Sequence, residues 1–188
     1  MGKVLIFSAP SGSGKTTIVR HLLDRFPELE FSISATSRAP RGEERDGVDY
    51  YFMDASEFAA RVEAGEFVEW EEVYAGTCYG TLRAEIDRIW DRGHVVVFDV
   101  DVVGALNIKK LFGDQALSVF IMPPSVEALR ARLEGRGTDS PEAIERRLAK
   151  AEQEIAYAPK FDRVIVNDDL ETAYAEARRV VGDFLAGR

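Results

Sequence analysis

The chain has 188 residues and a mass of 21.0 kDa, and 46% of its residues are apolar, which is enough for one domain with a buried core. Acidic residues outnumber basic ones by 33 to 24, and the net charge of -9 excludes a broadly nucleic-acid-binding or anionic-membrane-binding surface. The single cysteine, Cys78, excludes an intramolecular disulfide and a multi-cysteine metal site. Without a signal-peptide pattern or an apolar run near the roughly 18 residues of a membrane span, we expect a cytoplasmic protein.

Short apolar runs alternate with segments of helical period from the start of the chain. Residues 3–8 predict a buried strand, and the apolar spacing over residues 18–26 predicts a helix after it. The alternation over residues 31–36 predicts another strand, with Phe31 on its core face and Thr36 on its open face.

The stretch from about residue 35 to 80 departs from this rhythm. A polar loop at 38–49 precedes a short predicted strand at 50–53, and Asp54 begins a capped helix. A strand at 67–74 and a turn over 75–80 complete the stretch. We interpret it as an α+β lobe inserted into the fold.

Regular alternation returns after this lobe. We predict helices over 81–92, 102–111, 125–133, 140–157 and 170–185, and strands over 94–100, 117–122 and 164–166. Strands that alternate with helices predict an α/β fold with a central parallel sheet.

Between the first strand and the first helix lies a phosphate-binding pattern, APSGSGKT, at residues 9–16. Gly12 and Gly14 allow backbone N–H groups to curl around phosphate oxygens, and the helix dipole adds positive potential. Lys15 would reach the β- and γ-phosphates, and Thr16 offers a hydroxyl to Mg²⁺. Ala9 stands where the usual pattern has its first glycine. The pattern predicts a nucleoside triphosphate site, and the alternative is an ordinary Gly/Ser-rich loop.

Asp99 ends the hydrophobic strand at 94–100. It resembles the second carboxylate of triphosphate sites, which holds Mg²⁺ directly or through water. A helix cap or an ordinary loop carboxylate is the alternative role for this residue.

Several short motifs, taken in order, resemble the guanylate kinase family over essentially the whole chain. Beside the phosphate loop they are SATSRAPRGE (34–43), GVDY (47–50), FVEW (67–70), YGT (79–81), DVD (99–101), RLEGRGTDS (132–140) and VIVNDD (164–169). Two positions depart from the pattern, since Cys78 stands where a second tyrosine is frequent and Val103 where glutamine is frequent.

The resemblance implies an ATP-dependent nucleoside monophosphate kinase that uses Mg²⁺ to phosphorylate GMP, giving ADP and GDP, within purine nucleotide metabolism. It implies dGMP as a further acceptor. It also implies one domain, 1–188, with a core of about 1–33, 82–125 and 160–188. The acceptor-binding lobe would be about 34–81 and a helical lid about 126–159.

The resemblance also assigns the site. ATP would contact Ala9, Pro10, Ser11, Gly12, Ser13, Gly14, Lys15, Thr16, Thr17, Asn167 and Asp168. GMP would contact Ser34, Arg38, Arg41, Tyr50, Glu69, Tyr79, Thr81 and Asp101. The catalytic residues would be Lys15, Arg132, Arg136 and Arg147, with Thr16 and Asp99 on the metal.

These assignments give each acceptor-site residue a chemical task. Arginine forks and tyrosine hydroxyls would bind the GMP phosphate. Glu69 would accept from the guanine N1–H and exocyclic amine, Ser34 and Thr81 would donate to O6, and Asp101 would add a second acceptor.

Two other functions fit parts of the sequence. A kinase for another monophosphate, or for a phosphorylated sugar, would change Ser34, Glu69 and Thr81, all of which suit guanine. A non-catalytic interaction module of the same family would have lost phosphate-loop groups such as Lys15.

Several charged or polar residues have plainer roles. Asn167 and Asp168 could simply form a turn that caps the last helix. We expect Arg45, Arg130, Arg146 and both histidines to be structural or solvent-facing.

Overall fold

Strands and helices alternate along the chain, as in an α/β fold. The computed structural model describes residues 2–74, 76–135, 137 and 140–187. The strands are β1 (Val4–Ser8), β2 (Leu29–Phe31), β3 (Ala35–Thr36), β4 (Tyr51–Phe52), β5 (Phe67–Tyr74), β6 (Thr77–Leu82), β7 (Val95–Asp99), β8 (Ala116–Met122) and β9 (Arg163–Val166). The helices are α1 (Lys15–Arg25), α2 (Ala55–Glu63), α3 (Arg83–Asp91), α4 (Val102–Phe112), α5 (Val126–Gly135), α6 (Pro141–Ile155) and α7 (Leu170–Leu185).

The central sheet is parallel, with the strand order β2-β7-β1-β8-β9 within the described part of the chain. Its middle strand β1 is fully buried because helices cover both faces. Leu5 and Phe7 pack against α1 and α7, whereas Val4 and Ile6 pack against α3 and α4. The predicted α/β fold is confirmed.

A second, smaller sheet has the strand order β4-β3-β6-β5. β3 is parallel to β4, whereas β6 is antiparallel to both β3 and β5. Phe58 of α2 packs on this sheet, and the Asp54 side chain caps the helix by accepting from the Glu57 N–H at 2.8 Å, as predicted. This sheet and its helix are the α+β insertion.

One predicted turn is a strand. Residues 75–80 were expected to turn and Thr81 to lie in a helix, but β6 runs from Thr77 to Leu82 and α3 begins at Arg83. Gly80 suggests a turn locally, yet a Cβ there would lie 2.6 Å from the Glu69 carbonyl oxygen of β5. The glycine allows two strands to approach closely, and local sequence does not show that pairing.

The predicted faces of residues 31–36 are wrong. Phe31 is 37% exposed, whereas Ser32 and Thr36 are buried. The chain leaves the central sheet after β2 and enters the second sheet at β3, so a single alternation does not continue through the segment.

Helices α5 and α6 pack against each other through Leu129, Leu133, Ile144, Leu148 and Ala151. Ser140 caps α6 by accepting from the Ala143 N–H at 3.3 Å, as predicted, and the helix ends at Ile155 rather than at Tyr157. None of the described helices has the length and apolar composition needed to cross a membrane.

Candidate active site

The loop between β1 and α1 is curled by its backbone. The Ser13 N–H donates to the Pro10 carbonyl at 3.1 Å, and Gly12 and Gly14 have φ values of +93° and +88°. A Cβ on Gly14 would lie 2.2 Å from the Asn167 amide nitrogen, so this position requires glycine for its conformation and for space.

This loop presents the amino terminus of α1 to the cavity beside it. Gly14 is the N-cap and has no side chain to accept from the first N–H groups, and the first turn carries no acidic residue. Those N–H groups are suited to phosphate oxygens. Among the described residues only glycines have positive φ, so Ala9 adopts a backbone conformation that any residue can take. The methyl group of Ala9 packs against the core. The departure at this position is therefore compatible with a phosphate loop.

Asn167 lies behind the loop at the end of β9. It is buried, and its amide donates to the Ser13 carbonyl at 2.8 Å. Arg132 of α5 donates to the Asn167 carbonyl, also at 2.8 Å, and Asp168 is exposed. Asn167 therefore connects the phosphate loop to α5 in this structure.

Lys15 and Asp99 form an ion pair across the carboxyl ends of β1 and β7. Both side chains are partly exposed, at 20% and 24%. The carboxylate predicted to hold Mg²⁺ therefore contacts the phosphate-loop lysine here.

A cavity of about 470 Å³ lies over the phosphate loop. It is lined by residues 9–17, 99–101, Arg147, Lys150 and Glu154. Arg147 of α6 donates to the Ser11 hydroxyl at 3.2 Å, which brings this helix to the loop. The predicted phosphate-loop residues and Arg147 are thus gathered around one space.

A smaller cavity of about 170 Å³ lies between the two sheets. It is lined by Ser34, Tyr50, Glu69, Glu71, Tyr79, Gly80, Asp99, Val100, Asp101 and Gly104. Residues 99–101 line both cavities, so molecules bound in the two would meet at the carboxyl end of β7.

Glu69 of β5 faces the smaller cavity. Thr81 is 1% exposed, and its hydroxyl donates to Glu69 at 2.8 Å. Burial raises the pKa of the Glu69 carboxyl despite this hydrogen bond, and the charges of Asp101 and Glu71 raise it further. The Thr81 hydroxyl, predicted to donate to the guanine, donates to Glu69 in this structure and orients that carboxylate.

Arg38 lies between two tyrosines at the edge of this cavity. Its Nε donates to the Tyr79 hydroxyl at 2.9 Å, and its guanidinium carbon is 5.0 Å from the centre of the Tyr50 ring. Its two terminal nitrogens donate to Glu44 at 2.6 and 2.9 Å. Hydrogen bonds from Arg38 and from the Arg41 backbone lower the pKa of Glu44 to about 2.

Known proteins resemble this chain over nearly its full length. The sequence model of the family described as guanylate kinase matches residues 1–183. This chain belongs to the guanylate kinase family. It is 59% identical to guanylate kinase of Bacteroides thetaiotaomicron, a match that covers 98% of this chain and 90% of that protein.

Two further comparisons agree. Guanylate kinase of Porphyromonas gingivalis is 57% identical, over 99% of this chain and 100% of that protein. The crystal structure of guanylate kinase from Anaplasma phagocytophilum superposes with a TM-score of 0.72 at 33% identity, covering 99% of this chain and 86% of that one.

Among the described arginines expected in the site, Arg41 and Arg132 line neither cavity. The Arg41 side chain is exposed, and Arg136 lies outside the described residues. Sequence reasoning also missed residues that the structure brings to the site: Glu44, Glu71, Lys150 and Glu154. Lys150 and Glu154 follow Arg147 by three and seven positions, so helical spacing could have placed them on its face. No periodic signal marks Glu44.

Proposed function

We propose that this chain transfers the γ-phosphoryl group of ATP to GMP, releasing ADP and GDP. The observation that carries the proposal is the meeting of the two cavities at residues 99–101, with a phosphate loop on one side and Glu69 on the other. Membership of the guanylate kinase family supports the same reaction. A cytoplasmic location and a place in purine nucleotide metabolism, both typical of this family, belong to the proposal.

ATP would occupy the larger cavity with its phosphates at the amino terminus of α1. Lys15 would exchange its contact with Asp99 for the β- and γ-phosphates. The Thr16 hydroxyl and the Asp99 carboxylate lie on this cavity, and oxygen donors of this kind fit Mg²⁺. When bound, Mg²⁺ would neutralise part of the charge on the terminal phosphates.

Guanine would bind at Glu69 in the smaller cavity. The carboxylate would accept from the N1–H and the exocyclic amine, while Ser34 on the same cavity could donate to O6. Asp101 would stand near the base as a second acceptor. Adenine has no proton on N1, so it would place two acceptors against each other.

The phosphate of GMP would bind beside Arg38, Tyr50 and Tyr79. Glu44 takes one N–H donor from each terminal nitrogen of Arg38 in this structure, so a phosphate that binds the same two donors would displace this carboxylate. Arg41, three residues before Glu44, supplies a second guanidinium from the same loop.

Phosphoryl transfer then requires alignment and charge compensation rather than a nucleophilic side chain. An oxygen of the GMP phosphate would attack the γ-phosphorus in line with the bond to ADP. Arg132, Arg136 and Arg147 would stabilise the charge on the transferring group. Arg147 already reaches Ser11 of the phosphate loop, and the roles of the other two rest on the family resemblance.

The direct test is ADP release with ATP and a series of acceptors. We expect turnover with GMP and dGMP, and at least about 10³-fold lower kcat/KM with AMP and UMP, because a site built on hydrogen bonds rejects analogues that lack them. Faster turnover with AMP would contradict the acceptor assignment. ADP release with none of the four would favour a non-catalytic module.

The affinity for GMP should fall as the pH is lowered. Burial raises the pKa of Glu69 in the free protein, and only the ionised carboxylate can accept from both guanine donors. Protonation therefore weakens binding as pH falls through this raised pKa, by up to about tenfold per pH unit. Calorimetric Kd values between pH 5 and 8 measure the effect.

The Glu69→Gln variant controls for the titration of the GMP phosphate itself, which occurs near pH 6. The difference between the wild-type and variant pH profiles isolates the carboxylate. Parallel profiles would contradict the assignment of Glu69 to the base.

Asn167→Ala should weaken ATP binding by about 5- to 150-fold. The substitution removes the N–H donor to the Ser13 carbonyl and leaves that buried acceptor without its partner, at a cost of about 1 to 3 kcal/mol. GMP binding should change less than twofold. Calorimetry with an ATP analogue and with GMP measures both, and urea unfolding separates lost stability from lost affinity. Unchanged ATP affinity in a destabilised variant would leave Asn167 a purely structural role.

A further inference from the structure

Glu85 is a buried carboxylate outside both cavities, and the reaction described above does not use it. The residue is 3% exposed and lies in the first turn of α3. One oxygen accepts from the Ile33 N–H at 2.9 Å, and the other accepts from the Tyr51 hydroxyl at 2.8 Å. Arg88, three residues later, donates to both oxygens at 2.9 Å.

These four hydrogen bonds are needed because a buried charge is costly unless it is paired. Burial alone would raise the pKa of the Glu85 carboxyl, but the donors from Arg88, Ile33 and Tyr51 outweigh it and hold the pKa below its usual range. The carboxylate is therefore ionised at neutral pH and attracts all of these donors.

Ile33 and Tyr51, which both donate to Glu85, are each next in sequence to a residue of the acceptor site. Ile33 precedes Ser34, and Tyr51 follows Tyr50, and both of these neighbours line the smaller cavity. The Ser34 carbonyl also accepts from the Tyr51 N–H at 2.9 Å, so the two segments are held to each other at this point. A shift of either segment would move a residue of the cavity.

Arg88 extends the connection to the central sheet. It donates to Glu30 of β2 at 2.5 Å, and Glu30 also contacts Arg92 and His94. β2 belongs to the central sheet and β4 to the second sheet, and the chain passes from one sheet to the other at residues 32–34. The contacts that run from Glu30 through Arg88 and Glu85 to Tyr51 therefore bridge the two sheets at this crossing.

We propose that Glu85 is a positioning residue for the acceptor site, holding the Ser34 and Tyr50 segments at the spacing that GMP requires. The inference rests on the proposed function, because GMP is the ligand concerned. When a Glu85 contact is lost, a smaller fraction of the molecules has a preformed acceptor site. The apparent affinity for GMP falls in proportion to that fraction. The KM for GMP should then rise, whereas kcat at saturating GMP and the KM for ATP should stay near wild type.

Two variants test whether the KM for GMP rises while kcat and the KM for ATP stay near wild type. Tyr51→Phe removes one donor and keeps the ring that packs in the second sheet, and Glu85→Gln keeps the size of the side chain but replaces an acceptor oxygen by a donor. We expect the KM and the calorimetric Kd for GMP to rise about 10- to 100-fold in Tyr51→Phe, as for a lost hydrogen bond to a charged group, and further in Glu85→Gln.

Asp162→Asn is the control for the loss of an ion-paired, hydrogen-bonded carboxylate elsewhere in the fold; Asp162 is exposed, whereas Glu85 is buried. The Asp162 carboxylate accepts from the Ser118 N–H and hydroxyl at 2.8 Å and pairs with Lys109, but it lies at the amino end of β9, opposite the cavities. It should lose stability without a change in GMP affinity.

Three outcomes would count against the proposal. If the wild-type chain turns over normally, two results would overturn this inference alone. One is an unchanged GMP affinity in folded Tyr51→Phe and Glu85→Gln. The other is an ATP affinity that falls as much as the GMP affinity in these variants. Absence of GMP-dependent ADP release by the wild-type chain would overturn the proposed function and this inference with it.

Discussion

Lys15→Ala is expected to lower kcat by about 10²- to 10³-fold while the fold is retained. The ammonium group would compensate charge that develops on the transferring phosphoryl group, and the loss of one such preorganised group costs about 3 to 4 kcal/mol of transition-state stabilisation. The side chain is 20% exposed at the edge of the larger cavity, so its removal opens no hole in the core. Steady-state turnover with saturating Mg-ATP and GMP measures the effect.

The control for this variant is Lys110→Ala, which removes a lysine from an exposed position of α4. It should keep wild-type turnover. Circular dichroism and thermal unfolding would verify that Lys15→Ala is folded, since Asp99 loses its ion-pair partner. Turnover within a few-fold of wild type in a folded Lys15→Ala protein would remove the lysine from the catalytic assignment.

Glu69→Gln is expected to reduce kcat/KM for GMP by about 10- to 100-fold. The amide keeps the shape of the side chain but replaces one acceptor oxygen by a donor, so a charge-assisted hydrogen bond of about 1.5 to 3 kcal/mol is lost. AMP, which has no N1 proton to donate, should lose less. The preference for GMP over AMP should therefore narrow, and parallel kinetics with the two acceptors measure it.

Glu71→Gln is the matched control, because Glu71 lies two residues along the same strand and lines the same cavity but is exposed. We expect less than about threefold change in kcat/KM for GMP. Equal losses for GMP and AMP in Glu69→Gln would mean that this carboxylate does not recognise the base. Equal losses in both glutamate variants would point to the charge of the cavity rather than to one hydrogen-bonding group.

Local patterns predicted the elements that depend on neighbours in sequence. The phosphate loop was identified because Gly12, Gly14 and Lys15 follow a buried strand and precede a helix, and each of these features is local. The caps at Asp54 and Ser140 were also found, because a cap bonds only three residues along the chain.

Pairings between distant segments could not be obtained in this way. Gly80 was interpreted as part of a turn because its close contact with β5 comes from a strand pairing that no local pattern shows. The hydrogen bond from Thr81 to Glu69 was not predicted, because only the fold reveals that the two side chains lie opposite each other. Glu44 and Glu85 were overlooked for the same reason, since their partners come from loops and strands brought together by folding.

The sequence by itself therefore determined the α/β class, the phosphate loop and, through an ordered set of motifs, the resemblance to guanylate kinase. The tertiary structure alone decided that the two cavities meet at residues 99–101, that Asp99 pairs with Lys15, and that Asn167 supports the loop from behind. The physical reason is the separation in sequence over which the interactions act. Helical period, strand alternation and capping act over a few residues, whereas the shape and charge of a site arise from side chains far apart in sequence that meet only when the sheets have formed.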